Sequence, residues 1–179
     1  MTDPASGPFL FDTSAESWLA RAQQAAVQNW LRQYLGLHQV YVSAVTVLER
    51  SRGYALLWRS VPEERRDAIE MLRIAYLRQL GRVLAFDTAA AVLAGEIMAL
   101  IPQPPTPPRR SHGLAESRTD RLSRWRFDAL IAATALVARM TLIHNNPEDF
   151  EAIRSAIERS PARFPGLGPL ELLRCAALA

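Results

Sequence analysis

The sequence predicts an α/β fold in which a central, mainly parallel sheet carries helices on both faces. Two observations predict it. Short apolar segments typical of strands alternate with longer segments in which apolar residues recur at helical spacing. Because parallel strands are joined by crossover helices, this alternation favours a parallel sheet. In addition, the segment from Ala129 to Met140 is apolar nearly all round, as expected of a helix buried in the core.

The first hundred residues predict three strands that alternate with helices. The predicted strands are rich in β-branched and aromatic residues, and the helices show apolar residues at helical spacing. The predicted elements are strand 8–11, helix 13–34 with Gly36 as its cap, strand 39–44, helix 45–58, helix 62–81, strand 82–86 and helix 89–100. Asp12 and Asp87 each follow a strand in the same local sequence, Phe-Asp-Thr, and each can cap the next helix.

The second half of the chain is less regular. Five prolines and six arginines between residues 102 and 126 predict a surface insertion, with a short helix near 114–122. The buried helix is then expected to begin at Asp128, whose carboxylate can cap it. The remaining predicted elements are strand 140–143, a turn at 144–147, a helix opening at Asp149 and a helical tail over 151–179.

Composition limits the class of protein. The chain, 1–179, is predicted to form one domain with its core over about 9–150. All 21 basic residues are Arg, which excludes a Schiff-base or P-loop lysine. The single cysteine, Cys175, excludes an internal disulfide, and we interpret it as structural. The absence of a membrane-length apolar run and of a secretory signal predicts a cytoplasmic protein without a membrane partner.

Four acidic residues lie where a parallel sheet brings them together. Asp12 ends the first strand, Glu49 follows the second, Asp128 begins the buried helix and Asp149 follows the fourth strand. Ligands of such sheets collect beyond the carboxyl ends of the strands. Carboxylates that share a site need a compensating charge, and oxygen ligands suit Mg²⁺ or Mn²⁺. Such ions can activate water against a phosphodiester without a Ser, His or Cys nucleophile.

The order and spacing of four segments resemble the PIN-domain family, specifically the VapC-type toxin ribonucleases of bacterial toxin–antitoxin pairs. The segments are FLFDT at 9–13, VSAVTVLE at 42–49, DALIAATAL at 128–136 and TLIHNNPEDF at 141–150. The resemblance implies a three-layer α/β/α sandwich that cleaves RNA with Mg²⁺ or Mn²⁺. It also implies inhibition by a cognate antitoxin, contact with DNA only through that antitoxin, and a homodimer or toxin–antitoxin hetero-oligomer.

The resemblance also implies which residues act. The matching positions are the catalytic and metal-binding acids Asp12, Glu49, Asp128 and Asp149, supported by Thr13 and Asn146. We expect Asp12 and Asp128 to hold the main ion. The other two acids are expected to bind a second ion or to orient water. The acid at position 87 corresponds to a capping acid of the family, so we predict a structural role for it.

The chain departs from the family pattern in four places. Ser14 stands where the family usually has Asn or Asp, and His144-Asn145 stands where Thr-Arg is common. The insertion before Asp128 is longer than in compact members, and the tail after Phe150 shows no obvious closing strand. None of these departures removes an acid, so we expect catalysis to be retained while the choice of substrate stays open.

Each functional interpretation has a structural alternative. The three aspartates can be helix caps, and Glu49 can be a solvated helix residue or a neighbour of Arg50 or Arg52. The arginines of 109–126 can bind RNA phosphate, dock an acidic antitoxin segment or solvate a loop. Trp18, Trp30 and Tyr34 are assigned to the core or a dimer interface. The candidate RNA contacts are Arg124, Trp125 and Arg126, with Trp125 as the base-stacking residue.

These observations favour one function and leave an alternative. The first is a metal-dependent endoribonuclease toxin that a cognate antitoxin neutralises. The alternative is a catalytically silent PIN-fold binding module that acts through a partner protein and DNA. A phosphotransferase of the haloacid-dehalogenase type is disfavoured, because the second acid of its Asp-x-Asp motif is replaced by Ser14 and the chain has no Lys.

Overall fold

The computed structural model describes residues 2–108, 110–111 and 114–178. The strands are β1 (Phe9–Phe11), β2 (Tyr41–Ser43), β3 (Arg82–Leu84), β4 (Arg110–Ser111), β5 (Leu114–Ala115), β6 (Thr141–His144) and β7 (Leu172–Arg174). The α-helices are α1 (Thr13–Arg21), α2 (Ala25–Leu37), α3 (Ala44–Ser60), α4 (Arg66–Gln79), α5 (Thr88–Leu100), α6 (Arg118–Ala138) and α7 (Pro147–Arg159). Short 3₁₀ turns lie at Pro4–Ser6, Glu63–Arg65, Pro161–Arg163 and Cys175–Leu178.

The central sheet is parallel and has the strand order β3-β2-β1-β6-β7. The chain builds outward from β1 to β3, then returns to the other side of β1 to add β6 and β7. In register, Phe11 of β1 lies opposite Val42 of β2 and Ile143 of β6. The order therefore reverses between β1 and β6, and α/β sheets bind ligands beyond the strand ends at such a switch point.

Helices cover both faces of this sheet. Alternate residues of a strand point to opposite faces, and β1 shows this directly. Leu10 joins a buried cluster formed with α5, α6 and α7, whereas Phe9 and Phe11 join a second cluster formed with α1 and α2. The predicted α/β/α sandwich with a parallel sheet is therefore confirmed.

The central helix α6 begins ten residues earlier than predicted. Ser117 caps it, because the Ser117 Oγ accepts a hydrogen bond from the Asp120 N–H at 3.1 Å. Asp128 is thus in the middle of a 21-residue helix rather than at its cap. The first turns of α6 are rich in arginine and lack an apolar run, which hid the start of the helix.

The predicted insertion 102–126 is a surface loop only in part, because 118–126 belongs to α6, and Pro104 and Thr106 are buried while their neighbours in 102–108 are exposed. β4 and β5 pair antiparallel, and of the short helix predicted near 114–122 only the part from Arg118 onward is helical, as the start of α6. Arg109, His112 and Gly113 lie outside the described residues. Upstream of these strands, Pro104 is buried and its carbonyl oxygen accepts a hydrogen bond from the Arg121 Nη2 at 2.8 Å. The proline-rich segment is therefore fastened to α6.

Three other boundaries differ from the prediction. The predicted helix 13–34 divides into α1 and α2, because Ala22 adopts an extended conformation, and α2 continues through Gly36 to Leu37. The predicted helix 62–81 begins with a 3₁₀ turn before α4. The predicted helical tail is wrong beyond Arg159, since β7 adds to the sheet beside β6 and closes the fold. A strand of three residues is too short to produce a recognisable pattern.

Two further sequence predictions concern Asp87 and membrane spans. The Asp87 Oδ1 accepts a hydrogen bond from the Ala90 N–H at 2.9 Å, so its predicted role as the cap of α5 is confirmed. None of the described helices combines the length and the apolar composition that crossing a bilayer requires.

Candidate active site

A cleft of about 340 Å³ opens at the carboxyl ends of β1 and β6, where the strand order reverses. Its walls come from α1, from Glu49 of α3, from Arg124 and Asp128 of α6, and from the loop after β6. Three of the four predicted acids, Asp12, Glu49 and Asp128, line it. Residues that are 37 and 79 positions apart in the sequence therefore face one space.

Asp12 both caps a helix and faces the cleft. Its Oδ1 accepts a hydrogen bond from the Ala15 N–H at 2.5 Å, which is the predicted capping contact at the start of α1. Its side chain is buried, and this burial, together with the nearby Glu49 carboxylate, raises the pKa of Asp12 to about 7 despite the hydrogen bonds that it accepts. Capping and site functions thus coexist at this residue.

Ser14 connects Asp12 to the opposite wall of the cleft. The Ser14 hydroxyl lies 2.8 Å from Asp12 Oδ2 and donates to that carboxylate. The same hydroxyl oxygen accepts a hydrogen bond from the Asn145 N–H at 3.2 Å. A serine at this position therefore fixes the first acid relative to the loop after β6, a role that the sequence did not reveal.

Asp128 is held by the predicted supporting residue Asn146. The Asn146 Nδ2 donates to Asp128 Oδ2 at 2.9 Å. Burial, followed by repulsion from Asp12 and Asp149, raises the pKa of Asp128 well above its ordinary value. Burial and mutual repulsion make it costly to ionise both Asp12 and Asp128. A cation bound between them would offset that cost.

Glu49 is positioned by the other predicted supporting residue. The Thr13 Oγ1 donates to Glu49 Oε2 at 2.6 Å. The neighbouring Arg50 does not pair with Glu49, because its Nε lies 3.4 Å from Glu16 Oε2 and its Nη1 donates to Ser17 at 3.0 Å. Glu49 therefore faces the cleft with its carboxylate held by Thr13 and not by Arg50.

Asp149 lies behind the cleft and is completely buried. Its Oδ1 accepts a hydrogen bond from the Thr106 N–H at 3.1 Å. Its Oδ2 accepts hydrogen bonds from Asn146 Nδ2 at 2.6 Å and from Arg124 Nη1 at 3.1 Å. In this arrangement Asp149 orients Asn146, which in turn holds Asp128. A direct metal contact from Asp149 requires it to leave Arg124.

Arg124 lines the cleft but is paired with two acids. Besides Asp149, it contacts Glu116 through its Nε at 3.2 Å and its Nη2 at 3.0 Å. The hydrogen bonds to Glu116 are the main cause of a raised Arg124 pKa. Its predicted contact with RNA phosphate therefore competes with two ion pairs, whereas Arg126 on the same helix is exposed.

The prediction that Trp125 stacks on a base is wrong for this structure. Its side chain is only 1% exposed and packs in the core cluster with α5 and α7. Adjacent residues of a helix point about 100° apart, so Arg124 and Trp125 face different surroundings. The aromatic residue that does line the cleft is Trp18 of α1, which the sequence assigned to the core or an interface.

The donor atoms of the cleft suit Mg²⁺ or Mn²⁺, although their geometry is not that of a finished metal site. Within the described part of the chain, no three His, Cys, Asp or Glu side chains are arranged so that they could hold a metal ion. The carboxylate oxygens instead accept hydrogen bonds from Ala15, Asn146 and Arg124. Carboxylates are the ligands that these hard cations prefer, and burial together with repulsion between the acids raises the pKa values of Asp12 and Asp128, an effect that a bound cation would oppose.

His144, at the end of β6 beside the site, makes stability depend on pH. It is completely buried, its ring lies 5.1 Å from that of Phe150, and burial lowers its pKa to about 4. Between pH 6.5 and 4 the unfolded histidine therefore binds a proton that the folded one does not. The neutral buried His144 therefore does not weaken the fold above pH 6.5. As the pH falls from 6.5 to 4, the free energy of unfolding decreases by on the order of 3 kcal/mol.

Lowering the pH from 7 to 4.5 should reduce the free energy of unfolding of the wild-type protein more than that of His144→Phe. Urea titrations at both pH values measure this difference, because all other titrating groups are common to the two proteins. A difference that stays constant over this range would contradict a neutral buried His144.

A family model and several solved structures match the chain. The model described as "PIN domain" matches residues 9–156. VapBC2 from Rickettsia felis, bound to a DNA fragment of its promoter, is 17% identical with a TM-score of 0.54, over 93% of this chain and 97% of that chain. FitAcB from Neisseria gonorrhoeae is 27% identical with a TM-score of 0.53, over 82% of this chain and 93% of that chain. DNA-bound VapBC from Salmonella typhimurium is 20% identical with a TM-score of 0.52, over 93% of this chain and 97% of that chain. No curated protein sequence matches significantly.

Proposed function

Because the chain belongs to the PIN-domain family, which consists largely of nucleases, we propose that it is a metal-dependent endoribonuclease and the toxin of a toxin–antitoxin pair. The observation that carries this proposal is the convergence of Asp12, Glu49 and Asp128 on one cleft at the switch point of the sheet. Buried carboxylates that repel one another are costly to keep, and this cost is accounted for if they bind a cation.

The carboxylates of Asp12 and Asp128 are proposed to hold the main Mg²⁺ or Mn²⁺ ion, with Glu49 binding a second ion or orienting water. A bound ion of this kind supplies a Lewis acid and lowers the pKa of water at the scissile phosphate. The chain's own residues keep the acids in place. Thr13 holds Glu49 and Asn146 holds Asp128, each through a side-chain hydrogen bond.

Asp149, the fourth acid of the predicted set, is proposed to act mainly by positioning. Its contact with Asn146 Nδ2 at 2.6 Å orients the amide that reaches Asp128. Its contact with Arg124 places a positive charge in the wall of the cleft, close to the acids. Asp149 joins the metal ligands only in a state in which Arg124 has released it.

We also propose a cognate antitoxin as partner, with DNA contacted only through it. The Rickettsia and Salmonella structures are VapBC complexes bound to DNA, and the fold of this chain is similar to theirs. The Neisseria protein with 27% identity is the FitAcB complex. The assembly is proposed to be a homodimer or a toxin–antitoxin hetero-oligomer.

The test is cleavage of total cellular RNA by the purified protein, freed of any partner, in Mg²⁺, in Mn²⁺ and in EDTA. The proposed nuclease cuts RNA in either metal and leaves it intact in EDTA. Mapping the new ends would identify the preferred sequence. RNA that stays intact in all three conditions would instead support the catalytically silent binding module.

A further inference from the structure

One face of α1 forms a wall of the cleft that neither the acids nor their supporting residues explain. Ser14, Ser17, Trp18 and Arg21 all line the cleft. Their spacing of three, one and three residues places them in a stripe along one side of the helix. The stripe begins beside Asp12, which caps α1, and leads away from the acids.

Trp18 is presented to the cleft by a rigid support. Part of its side chain packs against the core cluster of α1 and α2, and the residue is half-buried rather than enclosed. Trp30 and Trp125, in contrast, are each only 1% exposed. A ring that is fixed on one side and open on the other can stack on a planar ligand with little loss of side-chain entropy.

Arg21 supplies positive charge at the far end of the stripe. It is exposed, and its Nε donates to the Ser17 carbonyl oxygen at 3.0 Å, which holds the side chain along α1. Its Nη1 and Nη2 make no hydrogen bond or ion pair with any residue that the structure describes. Unlike Arg124, Arg21 is therefore available to an anion without first giving up an acid.

We propose that this stripe, the α1 track, binds single-stranded RNA next to the scissile phosphate. One base stacks on Trp18 and a backbone phosphate contacts Arg21. An aromatic face combined with an arginine is the usual recognition element for unstacked bases, and bases inside a duplex cannot reach such a ring. The inference rests on the proposed nuclease function, because it assigns a substrate-binding surface to the same cleft.

The test measures binding of a fluorescein-labelled single-stranded RNA oligonucleotide by anisotropy, in EDTA so that the RNA stays intact. Trp18→Leu, which keeps apolar packing but removes the ring, is expected to weaken binding roughly 5- to 100-fold, the range for loss of one stacked base. Trp18→Phe, which keeps a ring, is expected to bind within about threefold of wild type. Arg21→Gln is expected to reduce the slope of log K against log salt by about 1.

Trp58→Leu is the matched control. Trp58 is 41% exposed on α3 and lines a separate groove with α4, so its loss should leave RNA binding unchanged. Intrinsic fluorescence adds a readout that a purely structural role would not move. RNA should quench tryptophan emission in wild type and in Trp58→Leu, but not in Trp18→Phe. Melting temperatures verify that each variant is folded.

The outcomes separate the two proposals. If wild type cuts RNA and folded Trp18→Leu binds and cuts RNA as wild type does, the α1 track is overturned while the nuclease stands. Wild type that binds RNA through Trp18 without cutting it in Mg²⁺ or Mn²⁺ would overturn the nuclease and keep the track. Wild type that neither binds nor cuts single-stranded RNA would overturn both.

Discussion

We expect Asp12→Asn and Asp128→Asn proteins to fold normally and to fail to cut RNA. Each change removes one anionic oxygen from the cleft while keeping the shape of the side chain and an oxygen to accept the Ala15 or Asn146 hydrogen bond. If these acids are the main metal ligands, as proposed, their loss should lower the cleavage rate at least about 1,000-fold, roughly 4 kcal/mol of transition-state stabilisation. Initial cleavage rates of purified proteins measure this loss.

Asp87→Asn is the matched control for this experiment. Asp87 lies in the same Phe-Asp-Thr sequence as Asp12 and also caps a helix, but it is exposed and does not line the cleft. The Asp87→Asn protein should cut RNA at the wild-type rate.

Thermal unfolding at pH 8 should show that Asp12→Asn and Asp128→Asn are at least as stable as wild type. Burial raises the pKa of each aspartate, so ionising it costs stability in wild type, and the asparagine removes that cost. An Asp12→Asn protein with more than a tenth of wild-type activity would contradict the assigned site.

Replacing Arg124 by Met should destabilise the fold by roughly 3–5 kcal/mol. The change removes the cation from Asp149, which is completely buried and cannot be solvated in its place. Urea unfolding at pH 7 measures the loss. Arg126→Met, which removes an exposed arginine of the same helix, should change stability by less than about 0.5 kcal/mol.

A double-mutant cycle isolates the ion pair. In an Asp149→Asn background the buried charge is absent, so Arg124→Met should cost at most about 1 kcal/mol. If the cost of Arg124→Met is the same in both backgrounds, the effect comes from packing or from Glu116, and the buried pair does not hold the proline-rich segment to the site.

The positions of the acids were predictable because each is attached to an element with a strong local signal. β1 is fully apolar and β6 contains the buried apolar pair Leu142-Ile143, and the polar residues that follow such strands lie at the edge of the sheet. Asp12 and Glu49 could therefore be placed together from the alternation of strands and helices alone. Asp128 was placed correctly in space although its helix was started in the wrong place, since the buried half of α6 carries it.

The partners of Asp149 were not predictable, because they come from distant parts of the chain. Thr106 and Arg124 are 43 and 25 residues away from it, and neither lies in a recognisable motif. The direction in which each side chain leaves its helix explains why Trp125 was wrongly predicted to contact RNA. Trp125 is close to Asp128 in sequence, but its direction from α6 leads into the core, whereas Trp18 has the same phase as Ser14 and Arg21.

The proline-rich segment supplies, through the Thr106 N–H, a hydrogen bond that water would otherwise give to one carboxylate oxygen of the buried Asp149. Loops usually tolerate changes in length, because water satisfies whatever they uncover. Here a shorter proline-rich segment would expose the buried Asp149 carboxylate to water. The length of this segment therefore determines whether the Asp149 carboxylate stays shielded from water while it holds Asn146 and Arg124.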